Sequence, residues 1–170
     1  MPLTMYDAAV PACLQMLTNL SKILEKAAAH AEAKGIDPLV LPSARLAPDM
    51  HPLTRQVQIA CDTAKGCAAR LAEVEIPSHP DTETTLPELQ ARLAKTLEFI
   101  RSLPPSAFDG AEDRNVTLKL RGHDMVVPAK GYLLNFALPN LYFHVTTAYA
   151  ILRHNGVEIG KPDYIGGLPG

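Results

Sequence analysis

The sequence predicts an all-α protein with four long helices packed as a bundle and a small β-hairpin inserted before the last helix. Three observations predict this class. Apolar residues recur at steps of three and four over four long segments, Pro and Gly residues separate those segments, and only one short stretch alternates with period two. The 170 residues are enough to bury a core, and we expect a single domain over residues 1–170.

The first helix is predicted over about residues 4–34. Its apolar stripe runs from Val10 to Ala31, and Lys34-Gly35 is a stop signal. A segment with three prolines follows, which we expect to be an ordered apolar crossover lying across the bundle. The second helix is predicted over about 52–76, because proline at position 52 suits a first helical turn and Pro77 stops the helix.

The third helix is predicted over about residues 86–103. Thr85 and Glu88 have the spacing of a capping box, and Pro104-Pro105 ends the helix. A hairpin is predicted over about 115–127, where apolar and polar residues alternate from Val116 to Leu120 and a turn from Arg121 to Asp124 leads into the apolar run Met125–Val127. The fourth helix is predicted over about 129–154, with Asn155-Gly156 as its stop.

Charge, the first residues and the cysteines argue against a nucleic-acid partner, a secreted protein and a cysteine-based zinc or redox site. The net charge is −2 and the 16 basic residues are scattered, so we expect no nucleic-acid partner. The first residues lack the pattern of a secretory signal, which predicts a cytoplasmic protein. Three cysteines fit neither a zinc spacing nor a redox pair, and Cys13 and Cys61 fall on apolar stripes, where we expect small buried side chains.

The fourth predicted helix differs from the others in having no charged residue between Tyr132 and Leu152. This stretch holds five of the nine Phe and Tyr residues of the chain. A helix that is apolar on all sides must be buried on all sides. Its Asn, Pro, His and Thr residues disfavour a membrane span, so we expect burial against the bundle and against a second subunit or the crossover. A homodimer is therefore predicted.

Candidate functional residues lie on the second and fourth helices. Pro139 cannot donate a backbone hydrogen bond, so a kink or break is expected there, and Asn140 and His144 follow on one helix face. His144 is interpreted either as a buried histidine bonded to a neighbour or as a metal ligand or general base in a bundle cavity. Gln58 and Asp62 either face His144 across the bundle or lie on a solvated flank.

Several segments carry a resemblance to a known family. The most specific are Ala47–Met50, Gln56–Ala60 with Asp62, Asp81–Thr85 and Leu138–His144, which continues through Thr147–Arg153 to Gly156. Over Tyr6 to Tyr164 the chain resembles a bacterial family of domains of unknown function grouped with the DinB/YfiT-like metalloenzymes. The resemblance implies a DinB-like four-helix bundle that is commonly dimeric.

The resemblance also implies where a metal centre belongs. In that superfamily a divalent metal, usually zinc or nickel, is held by a His on the second helix and an H-x-x-x-H pair on the last, and some members activate a low-molecular-weight thiol. Here the last of these histidines corresponds to His144, the first of the pair to Asn140 and the helix-two ligand to Gln58. Amides are poor partners for zinc, so the resemblance implies a partly lost metal site at these three residues.

Two functions from different classes follow. One is a dimeric, non-catalytic small-ligand-binding or stress-related protein, in which the polar trio fixes packing or holds the ligand. The other is a metal-dependent thiol transferase or isomerase that uses His144, with zinc or nickel as its cofactor. In both cases we expect His144, Asn140 and Gln58 to converge on one cavity, with His144 bonded to Gln58, to Asn140 or to water if no ion is present. No catalytic residue, substrate or pathway is assigned from the sequence.

Overall fold

The computed structural model describes residues 3–120 and 122–167, so Arg121 of the predicted turn and both ends of the predicted 1–170 domain lie outside the described residues. The fold is mostly helical, with one two-stranded antiparallel hairpin. Its longer helices are α1 (Met5–Lys34), α3 (Leu53–Leu71), α4 (Leu86–Ser102) and α6 (Leu138–His154). Helices α1 and α3 each pack against both α4 and α6 around one apolar core.

Helix ends follow the local chemistry of the sequence. Helices α1 and α4 both begin with complete capping boxes, Thr4 with Asp7 and Thr85 with Glu88. Helix α3 ends at Leu71, five residues before the predicted end. Glu73 takes a left-handed conformation (φ 53°), and the amide of Val74 bonds back to the carbonyl of Ala69 at 3.0 Å. This is a Schellman termination with Glu in the position that glycine usually fills, which is why no sequence signal marked it.

The crossover and the hairpin agree with the predicted segments. The crossover contains the short helix α2 (Val40–Ser43), which packs on α3 and buries Leu41, while Leu39 and Val40 stay exposed. The hairpin comprises β1 (Asn115–Leu120) and β2 (His123–Pro128), paired in register from Asn115 with Pro128 to Leu120 with His123. Short 3₁₀ turns at Pro105–Phe108 and Ala111–Asp113 connect α4 to β1.

The fourth predicted helix is built from three consecutive segments. Helix α5 (Ala129–Tyr132) leads into a π-helical turn at Leu133–Ala137, and α6 follows with Pro139 in its first turn. The local break expected at Pro139 is thus a widened turn directly before it, since proline leaves the carbonyl four residues upstream without its helical donor. After α6, the short helix α7 (Lys161–Ile165) lies on α1, held by an ion pair between Lys26 and Asp163 of 2.7 Å.

Burial of the last long helix is incomplete in the single chain. Leu141, Val145, Ala148 and Ile151 face the core, whereas Phe136, Tyr142 and Phe143 are exposed. Within the part of the chain that the structure describes, no helix is both long and apolar enough to cross a membrane.

Candidate polar site between α3, α4 and α6

His144 lies on the buried face of α6 and makes its side-chain hydrogen bond to α3. Its Nδ1 is 2.7 Å from Oε1 of Gln56. The amide of Gln56 is oriented by a second bond, in which its Nε2 donates to the carbonyl of His51 at 3.1 Å. Oε1 is therefore the acceptor, so Nδ1 of His144 carries the hydrogen and donates it. The other ring nitrogen, Nε2, keeps its lone pair.

The surroundings of His144 keep its imidazole neutral. Burial, with the positive fields of His51 and Arg55, lowers the pKa of His144 to about 4. The ring of Phe143 stands perpendicular to the imidazole, with 5.1 Å between ring centroids. At neutral pH the side chain is therefore an oriented hydrogen-bond acceptor at Nε2, and its pKa lies too low for efficient general-base catalysis near pH 7.

Asn140 and Gln58 do not bond to His144. Asn140 donates from Nδ2 to Oγ1 of Thr63 on α3, at 2.9 Å. Gln58 is buried and donates to Oε2 of Glu83 at 2.9 Å, while its own Oε1 accepts from Arg55 at 3.3 Å. The three predicted site residues thus form hydrogen bonds with three different partners and not with one another. The expected bond from His144 to Gln58 or Asn140 is replaced by the bond to Gln56.

Helix geometry explains why His144 bonds to Gln56 and not to Gln58. Gln56 and Gln58 are two residues apart, which is about 200° around the helix axis. Gln56 shares a face with Thr63 and points to α6, whereas Gln58 shares a face with Asp62 and Lys65 and points to α4. Gln58 is neither opposite His144 nor on a solvated flank, as the two interpretations had it. It belongs to a charged cluster.

The charged cluster is centred on Arg92 of α4, whose residue surface is only 3 % exposed. Its Nη2 contacts carboxylates of Asp62 and Asp81, each at 2.9 Å, and its Nη1 contacts both oxygens of Glu83 at 3.1 and 3.2 Å. Lys65 pairs with Asp62 at 3.1 Å and Arg55 pairs with Asp81. Three cations therefore face three carboxylates, which is how buried charge is tolerated.

Burial and pairing act in opposite directions on the carboxylate of Glu83. Burial alone would raise its pKa, but the hydrogen bonds from Gln58 and Arg92 and the charge of Arg92 hold the pKa below its usual range. For Arg92, burial opposes the charged form, while the charges of Asp62 and Glu83 raise the pKa of the guanidinium. Both groups are ionised at neutral pH, so the cluster is a set of permanent ion pairs that joins α3, α4 and the loop before α4.

This cluster was missed by sequence reasoning although its parts were visible. Asp81–Thr85 stood out as a specific segment, and the structure shows that it supplies two carboxylates to Arg92 and the capping threonine of α4. Arg92 falls on the apolar stripe between Leu89 and Thr96, and a charge on that stripe is the signal for a buried ion pair. The expected burial of Cys13 and Cys61 is confirmed, and burial raises the pKa of the Cys61 thiol to about 12.

The residues present do not fit a zinc or nickel centre. Within residues 3–120 and 122–167, no three His, Cys, Asp or Glu side chains are grouped so that they could hold one ion. Around His144 the nearby charges named above are positive, and both ends of the Gln58 amide are engaged. Zinc sites require three or four nitrogen, sulfur or carboxylate donors.

Comparison with known families and structures agrees with this architecture. The sequence-family model of DUF1993, a domain of unknown function, matches residues 5–165. The chain belongs to this family. The DUF1993 chain is also similar to a crystal structure of a DinB family member protein from Shewanella denitrificans, with 46% sequence identity and a TM-score of 0.89. The match covers 96% of this chain and 93% of that one, which places the DUF1993 fold among DinB-like proteins. No curated protein matches the sequence.

Proposed function

We propose that this DUF1993 protein is a homodimeric, non-catalytic four-helix bundle of the DinB type that binds a small molecule beside His144. The observation that carries the proposal is the hydrogen bond from Nδ1 of His144 to Gln56, 2.7 Å long. In metal sites a ligating histidine is oriented by such a bond, but here the other donors are missing, so Nε2 is left as an acceptor. We also propose that the protein is a single domain and is located in the cytoplasm.

The ligand chemistry follows from the state of the imidazole. A neutral ring whose Nδ1 donates to protein can only accept at Nε2, so the bound group must be a hydroxyl, an amine or an amide N–H. The guanidinium of Arg55 nearby disfavours a cationic ligand at this position.

The proposal of a homodimer rests on the exposed apolar face of α6. Phe143 is 56% exposed, and Tyr142 on α6 and Phe136 in the π-helical turn before it are also exposed, in a stretch from Tyr132 to Leu152 that has no charged residue. A second copy of the chain presents the same uncharged surface, so the two faces can pack about a twofold axis without burying charge. This arrangement would bury the side of α6 that the single chain leaves open.

A metal-dependent thiol transferase or isomerase is the second candidate. One observation favours it, namely the lone pair at Nε2 of His144, which is the form of imidazole that binds metals. The incomplete donor set is the reason that we place it second.

Nuclear magnetic resonance of the His144 ring tests the proposal. We expect compounds from a library of small neutral alcohols, amines and amides to shift the Nε2 and Hε1 signals of His144 and to raise the melting temperature of the wild type. The His144→Gln variant, which can still bond to Gln56, should lose the melting-temperature increase, whereas a His123→Gln control on the exposed hairpin should keep it. Compounds that stabilise both variants equally and leave the His144 signals unmoved would overturn the proposal.

A further inference from the structure

A cavity lies beside the charged cluster, and His144 is not among its lining residues. It has a volume of about 310 Å³ and is lined by the loop before α4 and by one face of that helix, including His79, Glu83, Glu88, Arg92 and Lys95. Glu88, Ala91, Arg92 and Lys95 are three or four residues apart, so they share that face. The volume is at the lower end of the range for small-molecule sites.

Two of the side chains that line the cavity each have a buried nitrogen atom without a hydrogen-bond partner among the described residues. These atoms are Nε of Arg92 and Nδ1 of His79. Arg92 is almost wholly buried and uses both of its Nη atoms for protein carboxylates and a carbonyl, so Nε–H is the donor that remains. Buried polar atoms nearly always have a hydrogen-bond partner in native proteins. Two such atoms without one, on side chains that line the same cavity, therefore point to a missing partner.

The cavity holds donors without partners, Nε of Arg92 and the ammonium of Lys95, beside one carboxylate oxygen that has no hydrogen bond in the described residues, Oε1 of Glu88. Both oxygens of Glu83 accept from Arg92, and one also accepts from Gln58. Glu88 accepts from the backbone amides of Thr84 and Thr85 through Oε2. Lys95 forms no ion pair within the described part of the chain and lies one turn from Arg92 at the rim. A ligand that fits must therefore bring acceptor oxygens.

We propose that this cavity is a binding site for a small molecule bearing an oxyanion, either a carboxylate or a phosphate. One oxygen accepts from Nε of Arg92, and a second accepts from Lys95 and from Nδ1–H of His79. The carboxylates of the cluster remain bonded as they are, because they neutralise the Nη side of Arg92 and leave its Nε side to the ligand. This site is independent of the proposed function at His144.

Side-chain resonances of Arg92 give an atom-specific test. Titration of the protein with sodium phosphate and, separately, with sodium succinate should shift the Nε–H signal of Arg92 and saturate for at least one of the two, which distinguishes phosphate from carboxylate ligands. Sodium chloride at the same ionic strength is the control and should not move the signal. If neither anion shifts Nε–H beyond the chloride control, the two atoms are satisfied by water and the proposal is wrong.

Variants that spare the ion cluster complete the test. Lys95→Gln should weaken binding of the shifting anion by about tenfold, the effect of losing one charge-assisted hydrogen bond, and His79→Phe should also weaken it. Lys34→Gln at the end of α1 is the matched control and should not change the affinity. Equal affinity in Lys95→Gln and wild type would overturn the proposal.

Discussion

Gln56 on α3 accepts the Nδ1 hydrogen of His144 on α6 across 2.7 Å, and this pair occupies the position where the DinB-like resemblance implied a metal ligand. Because Gln56 is itself fixed by its bond to the carbonyl of His51, the tautomer of His144 is set by the protein. Substitutions in this pair, in the Arg92 cluster and on the exposed face of α6 have different expected effects.

Replacing Gln56 by leucine should lower the free energy of unfolding by about 1–3 kcal/mol, because a buried N–H of His144 loses its acceptor. Urea denaturation at pH 7 measures the change. Gln15→Leu is the control, since Gln15 bonds to the carbonyl of Ile165 at an exposed position where water can take its place. Equal losses in the two variants would mean that the His144–Gln56 bond adds nothing specific.

Acid should destabilise the protein through His144. Its pKa is about 4 in the folded protein and about 6.5 in an unfolded chain. Between these values the unfolded state binds more protons, so stability falls as the pH falls from about 6.5 to about 4. Urea denaturation of His144→Gln over the same range should show a smaller loss than the wild type. Parallel curves for the two proteins would contradict the lowered pKa.

Removing the guanidinium at the centre of the charged cluster should be the most damaging single change. Arg92→Met leaves the largely buried carboxylate of Glu83 without its cation and should cost about 3–5 kcal/mol, as is typical when one member of a buried ion pair is deleted, whereas Asp62 and Asp81 keep Lys65 and Arg55. Chemical denaturation measures it. Arg101→Met, on an exposed position of the same helix, should stay within about 0.5 kcal/mol of wild type. A small effect for Arg92→Met would show that the cluster is dispensable.

The α6 face should control association. Light scattering at micromolar concentration should give a dimer mass for the wild type and a monomer mass for Phe143→Glu, because the substitution places two like charges at a twofold contact. Val126→Glu changes an apolar residue of the hairpin that is at least as exposed as Phe143, and it should leave the dimer intact. A monomeric wild type would remove the argument for this interface.

The sequence predicted those parts of the fold that depend on local chemistry. The capping box at Thr85 and the alternation around Val116 lead directly to the start of α4 and to the hairpin. The early end of α3 at Leu71 could not be predicted, since the left-handed position after it is filled by Glu73 and not by the glycine that usually marks such an end.

The candidate site was predicted in part, for a geometric reason. The spacing of His144 and Asn140 put them on one helix face, and both side chains bond to α3. The partner glutamine was assigned two positions too far along, and a step of two residues turns a helical side chain to the other side. Arg92 was missed because a periodic apolar pattern does not show which polar residue on the stripe finds carboxylates from a distant loop.

Elemental analysis of protein purified without a histidine tag tests the central claim most directly. If the His144–Gln56 pair stands in place of a metal centre, zinc and nickel should both be found far below one ion per chain, and adding either metal should not raise the melting temperature. One zinc or nickel ion per chain, retained through dialysis and lost in His144→Gln, would contradict the account.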